Sequence, residues 1–463
     1  MGLPTDPAEP GPMVVELNLR HAEGLDGAEA RFRQLYEAVV GPWEPDPPEL
    51  VASTYFRCDL SMAGAREMVR RDQADAAPSA RAIYRVWPDF PVRALLDRSV
   101  ATVKADAARR SYEASGSDIT WAVIDSGIDA GHPHFATYDS LGGDVARLHR
   151  DFTGGDAPLE DRYGHGTHVA GIIAGGLPPQ PGFDVCVGQR VVDELNAERI
   201  ETRDVADPQR LSGVAPRAKL VSLKVLDDTG TSRSTSVLAA LQYVREKVNG
   251  HGKLLRIQGV NLSLGYEFDA RWFACGQSPL CVEVDRLVQS GVVVVVAAGN
   301  TGYGELSARE GLTSTGLSLT INDPGNAALA VTVGATHRDS PHTYGVSYFS
   351  SKGPTGDGRL KPDLVAPGER ITSCAAGRRR DEMASLLADG ADGAALYVDD
   401  SGTSMAAPHV SGAVAAFLSI RQEFIGRPDE VKRLFLANAT SLGRERYFEG
   451  HGMVDLMRVI QAV

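Results

Sequence analysis

Along this chain the apolar residues fall into two patterns, and each predicts a different element. Short unbroken runs, Ile119-Thr120-Trp121-Ala122-Val123-Ile124 and Val292-Val293-Val294-Val295-Val296, are apolar at odd and even positions alike and rich in β-branched residues. That is the pattern of strands covered on both faces of a parallel sheet. Runs of small residues, Val169-Ala170-Gly171-Ile172-Ile173-Ala174 and Met405 through Leu418, predict helices that lie close against such a sheet. In the second run Pro408 is expected near the helix N-terminus, where backbone N–H groups lack partners anyway. The stretch 292–298 is a core strand, since a membrane span needs about 20 apolar residues.

Before residue 93 the pattern changes. Residues 13–19 read as a strand, 27–40 as a helix, 50–60 as strand material, 63–75 as a helix and 82–87 as a final strand. Two strand–helix passages of this size predict a small α+β sandwich over 12–92, behind a flexible stretch at 1–11 and ahead of a larger α/β domain over 93–463.

Composition narrows the function classes. A chain of 463 residues with 43% hydrophobic, 23% charged and a net charge of −13 suits a globular enzyme and offers nothing basic enough for nucleic acid. The basic cluster Arg378-Arg379-Arg380 abuts Asp381-Glu382 and reads as a solvated loop. Neither nucleic acid nor membrane is an expected partner. Met1 to Pro7 shows no charged n-region and no apolar h-region, which predicts a cytoplasmic protein. The five cysteines are expected as free thiols, although Cys275 and Cys281 are close enough in sequence to bridge a loop in an oxidising compartment.

Candidate chemistry enters at three strings. The 119–124 strand stops at Asp125, which puts the carboxylate at a strand's C-terminal edge, where open α/β sheets place their sites, and Gly127 lets the chain turn away. His165 opens one small-residue helix. Ser404 opens the other, where free N–H groups and the positive dipole end suit a developing oxyanion. A hydroxyl, an imidazole and a carboxylate are the three roles of nucleophilic acyl transfer, so Ser404 is the candidate nucleophile, His165 the base and Asp125 the group that orients it. His168 reads as structural, and with no Cys or Glu at zinc spacing beside it no metal site is expected. Asn261-Leu262-Ser263 matches a glycosylation sequon by coincidence.

The three strings run in the order Asp, His, Ser. With Gly213-Val214-Ala215-Pro216, Asn261-Leu262-Ser263-Leu264-Gly265, Ala297-Ala298-Gly299-Asn300, Phe349-Ser350-Ser351-Lys352-Gly353-Pro354, Lys361-Pro362-Asp363-Leu364-Val365-Ala366-Pro367-Gly368 and Gly402-Thr403-Ser404-Met405-Ala406-Ala407-Pro408-His409, they make the chain from about Asp118 onward resemble the subtilisin family (subtilases). The resemblance implies an α/β fold with a doubly wound, mostly parallel sheet, and a serine endopeptidase acting on a protein or peptide substrate. It assigns the oxyanion hole to the Asn300 side chain and the Ser404 N–H. Ser263, Leu264, Gly265 and Gly230, Thr231, Ser232 match the segments that flank an extended substrate, which predicts binding by strand addition. No cofactor is required. The N-terminal unit is similar in position and pattern to the subtilase propeptide, a folding helper and intramolecular inhibitor; this implies a zymogen cut between 91 and 99, the alternative being a permanent accessory domain.

Departures from the family pattern matter as well. Nine residues after the catalytic Asp, subtilisins often carry a calcium-ligating Asp; here that position is His134, and the loop that would complete the site is replaced by 176–212, which leaves structural calcium open. Inserts at 301–320 and 374–400 border the cleft, either setting selectivity and access or forming surface loops. Two further readings therefore stand beside the zymogen. One is a narrow-specificity intracellular regulatory or processing protease with its N-terminal domain attached, the other a non-catalytic peptide-binding protein on the same scaffold.

Overall fold

A computed structural model describes residues 9–41, 47–74, 77–88, 99–192, 198–205, 207–269, 271, 274–308, 311–385 and 394–463. They belong to two compact units, Met1–Leu95 and Leu96–Val463.

The first unit runs β1 (Gly11–Leu17), α1 (Gly24–Val40), β2 (Glu49–Ala52), β3 (Tyr55–Leu60), α2 (Met62–Gln73) and β4 (Ile83–Pro88). Its antiparallel sheet has the order β2-β3-β1-β4. Phe32 and Tyr36 of α1 and Met68 of α2 pack on Val15 of β1 and on Phe56 and Leu60, the side of β3 that alternation turns inward. Asp72 is buried and fully employed, pairing with Arg31 at 2.9 Å and accepting from the backbone N–H groups of Ala82 and Ile83. The strand material over 50–60 is divided by a turn at residues 53–54 into β2 and β3, and β1 begins inside the stretch expected to be flexible. Residues 91–98 of the expected cleavage stretch lie outside the described residues.

The second unit contains β5 (Thr120–Asp125), β6 (Arg150–Asp151), β7 (Val185–Val192), β8 (Glu198–Asp204), β9 (Lys219–Lys224), β10 (Gly259–Leu262), β11 (Val293–Ala297), β12 (Tyr303–Ala308), β13 (Gly311–Gly316), β14 (Val331–His337), β15 (Leu364–Glu369), β16 (Ile371–Cys374) and β17 (Ala395–Asp400). Seven of them form the central sheet, β15-β14-β11-β10-β5-β9-β6, in which every pairing is parallel. The unbroken apolar runs are explained by two cores, one on each face. Trp121, Val123, Val293 and Val295 join the first with α3 (His165–Ile173) and α7 (Thr403–Ile420), while Ala122, Ile124, Val294 and Val296 join the second with α4 (Ser234–Gln242) and α5 (Pro279–Gln289).

Two sequence expectations change here. The insert at 374–400, for which a surface loop was one expectation, and the segment 176–212 instead supply strands among their described residues. They contribute β7, β8 and β17 to one further sheet, β16-β17-β7-β8, with β17 and β7 parallel. Met383 of the intervening α6 (Gly377–Ala384) packs on Leu396 and Val398, and Tyr397 and Val187 reach the first core. The 301–320 insert is a hairpin of β12 and β13. Pro408, for its part, sits at the sixth residue of α7, too deep for an unpartnered N–H. It removes the donor that would reach the Ser404 carbonyl one turn back, and the Ser263 hydroxyl donates to that carbonyl instead, at 2.8 Å.

Candidate active site

β5 ends at Asp125, which is fully buried. Its Oδ1 accepts from the Ser126 backbone N–H and pairs with His165 Nδ1, both at 2.8 Å. The chain then turns at Gly127, whose φ is +112° and where any Cβ would lie 2.4 Å from the Glu160 carbonyl oxygen.

His165 is the first residue of α3, and the start of that helix is held by a residue that motif reading missed. Asp161, buried, accepts from the Ser126 hydroxyl (2.9 Å) and Gly164 N–H (2.7 Å) on one oxygen, and from the Thr167 N–H (2.8 Å) and hydroxyl (2.7 Å) on the other. The Ser126 oxygen in turn accepts from Gly166 N–H at 2.9 Å. A carboxylate here satisfies donors at a helix start that have no intrahelical acceptor, and it complements the dipole. The signal available in sequence was an acid four residues before the histidine, a capping pattern with no chemistry of its own. Burial disfavours charging His165, but the charge of Asp125 and its hydrogen bond outweigh that and hold the imidazole above the ordinary value of 6.5.

Ser404 is the second residue of α7, where the backbone N–H lacks an intrahelical acceptor. Its hydroxyl donates to the Ser263 carbonyl at 3.0 Å, so in this structure no hydrogen bond joins Ser404 to His165. With the Ser263 hydroxyl on the Ser404 carbonyl, residues 263 and 404 are tied in both directions. Asn261 continues the chain, donating to Ser263 Oγ and accepting from Ser411 Oγ, each at 2.9 Å, and it is fully buried, which keeps its sequon out of reach. Asn300 lies just past β11, and its Oδ1 accepts from the Thr403 N–H at 2.9 Å and hydroxyl at 3.0 Å. That leaves the Asn300 amide N–H group as the free donor beside Ser404; Thr403 is a second positioning residue that motif reading missed.

A groove of about 330 Å³ opens beside His165. Ser263, Leu264, Gly265, Gly230 and Ser232 line it, with Tyr163, Leu226, Val237, Tyr266 and Leu280. Thr231 is absent from the lining and turns back to Asp227, to which its hydroxyl donates at 3.0 Å.

Behind α3 the histidines serve the added sheet. His132 Nε2 meets Leu396 O at 2.8 Å, His134 Nδ1 meets Tyr397 Oη at 3.0 Å, and His168 Nε2 meets Val398 O at 3.0 Å, three successive residues of β17. His134 also places Nε2 against the carbonyls of Gly171 and Ala174, and burial holds it neutral with a pKa of about 3. A buried imidazole with both nitrogens engaged does not fit a hard oxygen-seeking cation, so the position where subtilisins carry a calcium-ligating Asp does not suit calcium here. Cys275 and Cys281 are not bridged to each other, and both are free thiols.

The model of the subtilase family matches residues 116–453, so the chain belongs to that family and is a serine endopeptidase, one that acts on proteins or peptides. It is 29% identical over 362 residues to serine protease AprX of Bacillus subtilis (strain 168), covering 77% of this chain and 69% of that one. It is 28% identical over 362 residues to subtilisin E of the same strain, covering 78% and 70% of the two chains. Pyrolysin of Pyrococcus furiosus is 31% identical over 327 residues, which span 64% of this chain and 21% of that protein.

Proposed function

We propose that the chain hydrolyses peptide bonds through an acyl-enzyme formed on Ser404, and that it is made as a zymogen. The observation that supports this most directly is the 2.8 Å bond between His165 Nδ1 and the buried Asp125, which fixes the tautomer that leaves Nε2 able to take a proton. Ser404 Oγ swings from the Ser263 carbonyl, gives its proton to His165 and attacks the scissile carbonyl. The Asn300 amide and the Ser404 N–H receive the oxyanion, and His165 then protonates the leaving amine. Water repeats the cycle on the ester. The substrate lies extended between 263–265 and 230–232, and no step calls on a metal or cofactor. The N-terminal unit, which builds a core of its own, is read as an intramolecular inhibitor from its similarity in position and pattern to the subtilase propeptide.

The test is to express the full chain beside a Ser404→Ala copy and follow intact mass with a fluorophosphonate label. Labelling of the unaltered chain alone, with loss of a fragment ending near 91–99, is the expected result. A labelled chain that stays whole would make the N-terminal unit permanent. Absence of label under all conditions would overturn Ser404 as the nucleophile.

A further inference from the structure

One ion pair beside His165 belongs to neither the strand nor the helix that carries the reacting groups. Residues 376–379 at the start of α6 lie directly on the loop that enters α3. Gly164, at φ +86°, brings its backbone so close that a Cβ would sit 2.2 Å from the Ala376 carbonyl oxygen and 3.5 Å from Arg379 Cδ. The Arg378 N–H donates to the Arg162 carbonyl at 3.1 Å. From this turn Arg379 pairs through Nη2 with Asp400, both side chains being less than a quarter exposed at 16% and 23%. Arg379 Nη1 is buried with no hydrogen-bond partner among the described residues. Asp400 closes β17, accepts from the Ser401 N–H at 2.8 Å and stands four residues before Ser404.

Resting on the assignment of His165 as base, we propose that Arg379 and Asp400 form a positioning pair for it: the added segment seats two opposite, mutually balanced charges against the imidazole, from a side that the central sheet does not reach. The other groups that face His165 are accounted for. Asp125 bonds it from β5, His168 on its own helix is neutral, the Tyr163 ring lies 6.4 Å away, and Asp161 is saturated by donors from Ser126, Gly164 and Thr167. After burial and Asp125, the charges that act on His165 are Arg379, which opposes its protonation, and Asp400, which favours it. While paired they act on it with opposite signs. Separated, each exposes the other.

The experiment is the acidic limb of kcat/KM against pH on a neutral peptide substrate. Arg379→Gln leaves Asp400 uncompensated and is expected to move the limb up by about one pH unit; Asp400→Asn leaves Arg379 and moves it down by a similar amount. The double variant returns the limb to its starting place, and Arg379→Lys leaves it there. A pair with only a packing role would lower activity in both singles without moving the limb in opposite directions. Shifts of the same sign, or none, overturn the proposal. Each single carries its own sign, so one folded single suffices, an unmoved or oppositely moved limb overturning the proposal; a folded double displaced by more than about half a unit overturns it too. Failure of the underlying assignment looks different, because the unaltered chain would then be inactive and unlabelled by fluorophosphonate.

Discussion

The two sides of α3 use the same side chain for opposite ends. On the sheet edge, His165, its side chain 14% exposed, sits beside a buried carboxylate and is held above 6.5. On the far side His132, His134 and His168 are buried against carbonyls and a phenol of β17, with no carboxylate bonded to them, and burial presses them down to about 4, 3 and 3. His165 and His168 are one helical turn apart. What separates the proposed proton carrier from a histidine that only donates to carbonyls is therefore whether a buried negative charge waits at one of its nitrogens.

The largest break in this comparison comes from exchanging the two outright. His165→Ala is expected to lower kcat by about 10⁶, the loss the handling of such triads leads one to expect when base or nucleophile is removed. His168→Asn is expected to leave turnover of the folded enzyme within about tenfold while costing about 1–3 kcal/mol, because the Val398 carbonyl loses a buried partner. Turnover assays paired with urea melts separate the two effects.

Acid sharpens the contrast next. His132, His134, His168 and His409, the last also held at about 4 by burial, have folded values below the unfolded 6.5. The unfolded chain therefore takes up more protons, and stability falls as pH drops below 6.5, by about 1.4 kcal/mol per histidine per pH unit until each folded value is reached. His165 has the opposite sign: its contribution is complete below 6.5 and is lost as pH rises through its folded value. Denaturant melts at pH 7 and pH 5 should show a drop of several kcal/mol; equal stability would refute the neutral cluster.

The smallest effect is kinetic. As the proposed base His165 must be neutral, and its folded value is raised, so the acidic limb of kcat/KM should have its midpoint above 6.5. A midpoint at or below that value would mean that Asp125 does not dominate its surroundings.

How much of this was legible follows from range along the chain. The central strands and the Asp125, His165 and Ser404 strings declare themselves locally, because a strand buried on both faces and a helix of small residues write their patterns in consecutive positions. Asp161 reaches Thr167, six residues on, through an ordinary capping arrangement and Ser126, 35 residues back, and nothing in its string separates it from other acids. The added sheet was illegible for another reason: β7 and β17 lie some two hundred residues apart, and each alone reads as a polar insert with a few apolar positions. Pro408 was placed in the right helix with the wrong justification, since the acceptor it strands is satisfied by Ser263, 141 residues upstream.

That exchange between Ser263 and Ser404 has a consequence in terms of freedom of motion. Each residue holds the other by hydroxyl and carbonyl, and α7 holds Asn261 through Ser411. A peptide laid along 263–265, as proposed, is thus registered on the same rigid body as the proposed nucleophile. The disorder that two independent parts would have to surrender at each turnover is surrendered once, when the chain folds.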